Sequence, residues 1–107
     1  MLKDKKFTVY MSKTLWNGLG EAPKFGVNNY RLVAKVDAPT KEFVFNLAQN
    51  VNDSWTTNVR VRCMVNEPVR SFSVGDVIKE PSGKLWRCMI VGWEAISEDE
   101  VNNMHKN

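Results

Sequence analysis

Histidine and cysteine are nearly missing from these 107 residues: there is one histidine, His105, and two cysteines, Cys63 and Cys88. Neither cysteine belongs to a CxxC or other metal-type pair, and His105 sits in the terminal tail. That removes the usual ligands of a structural zinc site and leaves no Ser-His-Asp or Cys-His pairing for nucleophilic catalysis. No metal and no cofactor are expected. No apolar run approaches the length of a membrane span, and Met1-Leu2-Lys3-Asp4-Lys5-Lys6 leads straight into a strand without a signal-peptide core. The expectation is a cytoplasmic protein whose two cysteines are reduced and buried. Phosphate-cradling glycines are missing too, since Gly18 and Gly20 form only a lone G-x-G in a loop. A net charge of +3 permits a nucleic-acid partner without arguing for one.

What is present describes one soluble globular domain, residues 1–107, with 43% hydrophobic and 25% charged residues. Phe7-Thr8-Val9-Tyr10-Met11 alternates as a strand with Phe7, Val9 and Met11 on one face. Ser12 to Asn29 has no sustained period and reads as a long loop, either pinned by Trp16 and Phe25 or functional. Tyr30–Val36 is the clearest strand, with Tyr30, Leu32, Ala34 and Val36 inward and Arg31 and Lys35 outward. Asp37-Ala38-Pro39-Thr40 ends it. Thr40 caps a helix from Lys41 to about Asn50, in which Phe43, Val44, Leu47, Ala48 and Val51 recur at helical spacing. Val59–Val65 alternates again, with Val59, Val61, Cys63 and Val65 inward and Arg60 and Arg62 outward.

The stretch from Val69 to Ile96 organises the rest. It reads as a strand entered through a tight Gly75-Asp76 turn, a reversal at Pro81-Ser82-Gly83, and a long returning strand. On that arm Trp86, Cys88 and Ile90 share one face, and Leu85, Arg87, Met89 and Val91 share the other. A strand apolar on both faces is central in a sheet or meets a partner chain. Gly92 allows a bulge or bend before Trp93. Ser97-Glu98-Asp99-Glu100 is a capping box opening a short C-terminal helix, with Ile96 and Val101 placed for a hydrophobic staple. The fold expected is mainly β (α+β): a small antiparallel curled sheet or partly open SH3-like or Sm-like barrel of about five strands. One helix covers it and a short helix ends it.

Arg70-Ser71-Phe72-Ser73-Val74-Gly75-Asp76-Val77-Ile78, followed by a glycine turn and Trp86-Arg87-Cys88…Val91-Gly92-Trp93-Glu94, resembles the YodL-like domain. It is similar to small phage and plasmid proteins with an R-S-x-S-V-G/S-D-V-I element and a closing G-W or G-F. Phe43–Asn50 and Trp55 are similar to a segment placed before that element. The resemblance implies a phage or mobile-element origin and brings no catalytic residue with it. The element also has a plain structural reading: Gly75 supplies an unusual backbone conformation, Asp76 accepts N–H groups of its turn, and Ser71 and Ser73 tie down backbone. Arg70 is expected to pair with Asp76 or another nearby carboxylate.

Function follows by elimination. Asp53, Asp76 and Glu94 border turns or strand ends, where turn work accounts for them better than acid–base catalysis, so a non-enzyme is expected. The leading expectation is a protein-binding or self-associating module, its candidate interface Leu85, Arg87, Met89, Val91 and Trp93 on the apolar return arm. The alternative is a small β-barrel binding single-stranded nucleic acid through Arg31, Lys35, Arg60 and Arg62, with Trp16, Trp55 or Tyr10 as stacking surfaces. A catalyst or small-molecule receptor is a further alternative, and it requires Arg70, Ser73 and Asp76 to converge on an open cleft.

Overall fold

A computed structural model describes residues 3–97 and 99–100. The elements run β1 (Lys5–Ser12), β2 (Tyr30–Ala38), α1 (Lys41–Leu47), a 3-10 turn (Trp55–Thr57), β3 (Val61–Cys63), β4 (Val77–Lys79), β5 (Leu85–Cys88) and β6 (Trp93–Ala95). The six strands form one antiparallel sheet in the order β3-β2-β1-β4-β5-β6. The protein is therefore mainly β, and among the described residues the sheet is open, with β3 and β6 at its edges. Two three-stranded meanders, β3-β2-β1 and β4-β5-β6, meet along the β1–β4 ladder. No helix among the described residues is long and apolar enough to cross a membrane.

Strand alternation divides the side chains between two faces. Phe7, Val9 and Met11 of β1 join Ala34 and Val36 of β2 and Ile78 of β4 on the first face, in the main core. This face is covered by Val44 and Ala48 of the helical segment, by Trp55, and by Val69 and Phe72. The second face carries a smaller core of Phe25, Tyr30, Val77, Leu85 and Ile96, with Tyr10 against it. Phe25 anchors the long loop there, its ring centroid 5.1 Å from that of Tyr10 and 5.1 Å from that of Tyr30. Apart from Leu32, the rest of the second face is left to polar side chains.

Several expectations are corrected by register and edges. Val9 pairs with Ala34 but Tyr10 pairs with Leu32, so Val33 is an extra residue in a β-bulge. The bulge buries Val33 completely and leaves Leu32 37% exposed, the reverse of simple alternation. It also moves Arg31 opposite Met11 on the first face, while Lys35 stands opposite Thr8 on the second. Strand β3 is shorter than the alternation implied and lies at the edge, so two of its expected inward residues are not core: Val59 is 99% exposed and Cys63 is exposed, while Val61 and Val65 are half-buried against the main core. The return arm is two strands, since Gly92 at φ 72° and a Met89 N–H bond to the Gly92 carbonyl (3.0 Å) fold it back as a second hairpin. That gives six strands in place of about five and puts Ile90 and Val91 at a tip rather than on a strand face.

The helix ends at Leu47 rather than near Asn50, and Val51 is exposed. At its start the Thr40 hydroxyl accepts the Phe43 N–H at 3.1 Å. At the C-terminus the Glu100 N–H donates to the Ser97 hydroxyl at 3.4 Å, one half of the expected capping box. The Glu100 carboxylate does not reach back to Ser97; it accepts from Phe25 and Arg87. Val101, His105 and the remainder of the expected C-terminal helix lie outside the described residues. Removing the α1 cap with Thr40→Ala strands one N–H and should cost about 1 kcal/mol, read as a lower urea midpoint at unchanged m-value.

Candidate functional site

Asp76 is fully buried, yet every lone pair that faces the protein is occupied. Oδ1 accepts from the Ser12 N–H (2.9 Å) and Arg70 Nη2 (2.7 Å), and Oδ2 accepts from Arg70 Nη1 (2.6 Å) and the Ser73 N–H (2.8 Å). Arg70 in turn donates to the Ser12 and Ser71 carbonyls and to the Ser73 hydroxyl. The guanidinium pKa is raised, first by its hydrogen bonds to Asp76. Gly75, at φ 96°, closes the turn in a conformation that side chains resist, with Trp16 packed over its Cα. Arg70, Ser73, Gly75 and Asp76 thus bond to their own turn and to the end of β1, and do not face an open cleft.

The preceding segment is stitched just as densely to the end of the helix. The Phe72 N–H donates to the Ala48 carbonyl, Asn50 bonds to the Val69 carbonyl and the Ser71 hydroxyl, and the Trp55 indole donates to the Arg70 carbonyl. Ser71 and Trp55, like Arg70, hold backbone in place.

Arg87 marks the second departure from the expected interface. It is 2% exposed and Leu85 is 3% exposed, so neither is displayed for a partner. Both lie on the second face because Lys79 pairs with Leu85 and Val77 with Arg87. The Arg87 guanidinium donates to Glu94 (3.1 Å), Glu100 (2.8 Å) and the Pro23 carbonyl (3.0 Å). Among the described residues its Nε has no partner. Burial alone pushes Glu100 up, but the Arg87 hydrogen bond and the Phe25 N–H outweigh it and hold the carboxyl below the usual range. Tyr30 beside it donates its hydroxyl to the Gly75 carbonyl at 2.6 Å, and burial raises its pKa. This node fastens the C-terminal segment and the long loop onto β5. Its partners Glu100 and the Pro23 carbonyl could not be found from sequence, because Glu100 is 13 residues from Arg87 and Pro23 is 64.

Trp93 of the expected interface is half-buried against Phe45 (6.4 Å) and Phe72 (6.1 Å). Met89, half-buried, and Val91, 89% exposed, remain at the surface, joined there by Ile90, 61% exposed. A hollow of about 300 Å³ runs between helix and hairpin, lined by Phe45, Asn46, Met89, Ile90 and Trp93 among others. The loop meets this tip at Gly18, where a Cβ would lie 2.4 Å from Ile90.

The basic residues divide. Arg31 is paired with Glu67, and Arg60 with Asp4 at 2.7 Å while it stacks over Phe43. Lys35 and Arg62 are cross-strand partners on the second face. Of the expected stacking surfaces, Trp55 is 2% exposed and Trp16 packs over Gly75, which leaves Tyr10, opposite Leu32 on the same second face as Lys35 and Arg62. No group of three or more His, Cys, Asp or Glu among the described residues is placed to hold a metal ion. No protein-family model, curated protein or solved structure matches the chain.

Asp76→Asn leaves Arg70 without its counter-charge and turns an NH2 group against either the Ser12 or the Ser73 N–H. The expected loss is about 3–5 kcal/mol of unfolding free energy by urea titration. Burial, aided by the Asp76 charge, pushes the Cys88 thiol up to about 11, whereas Cys63 is exposed and so departs from the expected burial. A thiol reagent at pH 8 should therefore titrate one thiol quickly in the folded chain and a second only after unfolding.

Proposed function

We propose that this chain is a small curled-sheet module of the SH3-like or Sm-like kind that works by binding protein rather than by catalysis. In this reading it is of phage or mobile-element origin and related to YodL-like proteins through Arg70–Ile78. The best-fitting occupant of its surface is a second copy of itself.

One observation carries the reading. Leu19 (71% exposed), Ile90 (61%) and Val91 (89%) lie on the loop and the hairpin tip that Gly18 presses together, beside the hollow walled by Phe45, Met89 and Trp93. Grouped apolar exposure of this sort marks an interaction site rather than ordinary surface scatter. A two-fold contact needs a patch complementary to itself, which an apolar patch satisfies and a one-signed charged patch does not. Of the three candidate carboxylates, Asp76 is engaged by Arg70 and backbone and Glu94 by Arg87, while Asp53 lies exposed in a polar turn.

Multi-angle light scattering over a wide concentration range is expected to show mass rising toward that of a dimer. Ile90→Asp with Val91→Asp should return it to monomer without changing the urea midpoint. A wild-type chain that stays monomeric at every concentration removes the self-association reading.

A further inference from the structure

The register of the sheet builds a second surface that alternation within single strands does not reveal. Arg62 of β3 pairs with Lys35 of β2, Lys35 pairs with Thr8 of β1, and Thr8 pairs with Lys79 of β4. Paired residues share a face, so Arg62, Lys35, Thr8 and Lys79 form one row straight across four strands. At a strand spacing of about 4.8 Å, Lys35 lies about 5 Å from Arg62 and about 10 Å from Lys79 in the strand-to-strand direction.

Like charges directly opposite one another destabilise a sheet, and ordinarily an acid alternates with them. Here none does. Among the described residues Lys35, Arg62 and Lys79 form no ion pair. The nearest acid on this face by register, Asp37, is engaged by Lys6 at 3.2 Å. Next along β1 on the same face comes Tyr10, opposite Leu32, at the mouth of a hollow of about 140 Å³ lined by Tyr10, Phe25, Tyr30 and Leu32 among others.

From this we infer that the second face of the β3-β2-β1-β4 sheet binds single-stranded nucleic acid, with phosphates along the Arg62-Lys35-Lys79 row and a base against Tyr10. Charge complementarity calls for a polyanion, and the Thr8 hydroxyl adds a hydrogen-bond donor in the middle of the row. The aromatic hollow selects the class. Its rings are recessed instead of projecting, which suits an unstacked base entering the surface and not insertion into a lipid layer. This surface is separate from the apolar tip, and it differs from the set Arg31, Lys35, Arg60 and Arg62 suggested by alternation. Arg31 and Arg60 are neutralised by Glu67 and Asp4 and take no part.

Fluorescence anisotropy of a labelled oligothymidylate with the full chain tests this. Three phosphate contacts predict a log–log salt slope of about −2. Lys79→Gln alone should reduce the slope by about 0.7, and Lys35→Gln, Arg62→Gln and Lys79→Gln together should abolish it. Tyr10→Leu should weaken binding at least about fivefold at unchanged slope. Arg31→Gln with Arg60→Gln, which removes two charges from outside the row, should leave affinity within about twofold. The inference is overturned if the folded chain fails to bind at low salt, or if the Arg31 and Arg60 pair matters as much as the row. It is equally overturned if phosphatidylglycerol vesicles bind as well as the oligonucleotide and Tyr10→Leu has no effect on either.

Discussion

The bond between Arg70 and Asp76 holds the two halves of this sheet in register. The β1–β4 ladder spans three residue pairs, Thr8–Lys79, Val9–Ile78 and Tyr10–Val77, and among the described residues it is the only strand pairing between the two meanders. Asp76 prolongs that junction by taking the Ser12 N–H at the end of β1, and Arg70 takes the Ser12 carbonyl from the same residue. One residue is thus gripped through both of its backbone polar groups by a charge pair whose acid is wholly buried. A buried carboxylate is costly unless each oxygen is satisfied; here four donors meet it, and the cost becomes a constraint on geometry. The Arg70–Asp76 corner is in turn fixed to the end of the helix through Asn50, Trp55 and Phe72.

That constraint determines which surfaces remain for other uses. The first face is covered along most of its length by the helix, Trp55 and Phe72. The second face is divided: beside β5 the loop residue Phe25, Ile96 and the Arg87 node close it, while across β3, β2, β1 and β4 it stays polar and basic. The free surfaces are therefore an apolar tip, where loop and second hairpin meet, and a cationic sheet face. They differ in chemistry and lie on different parts of the fold, so one chain can present both without either competing for the same residues.

Much of this was legible in the residue order. The strand alternation of Phe7–Met11, the Thr40 cap, the reversal at Pro81–Gly83, and the turn chemistry of Gly75 and Asp76 are local. Each depends on backbone preferences and on side chains a few positions away. Less was legible wherever two strands must be aligned before a residue has a face. The bulge at Val33 reverses Arg31 with respect to Lys35, and no single-strand pattern announces it. The Leu85 and Arg87 face read either as a central strand covered on both sides or as one meeting a partner chain, because the loop and C-terminal segment that cover it are distant in the chain.

By itself, the sequence determined the kind of protein this is: a mainly β domain with a Thr40-capped helix, tight glycine turns and a chemistry-poor inventory. These follow from short-range sterics, hydrogen bonding and apolar periodicity, which act between near neighbours. Tertiary structure alone decided which cations stand unpaired and which are neutralised, which apolar residues are core and which are tip, and that Asp76 would lock β1 to β4. Those outcomes depend on cross-strand register and burial, set by contacts between residues tens of positions apart, and charge or hydrophobicity acquires its meaning only once those contacts are made.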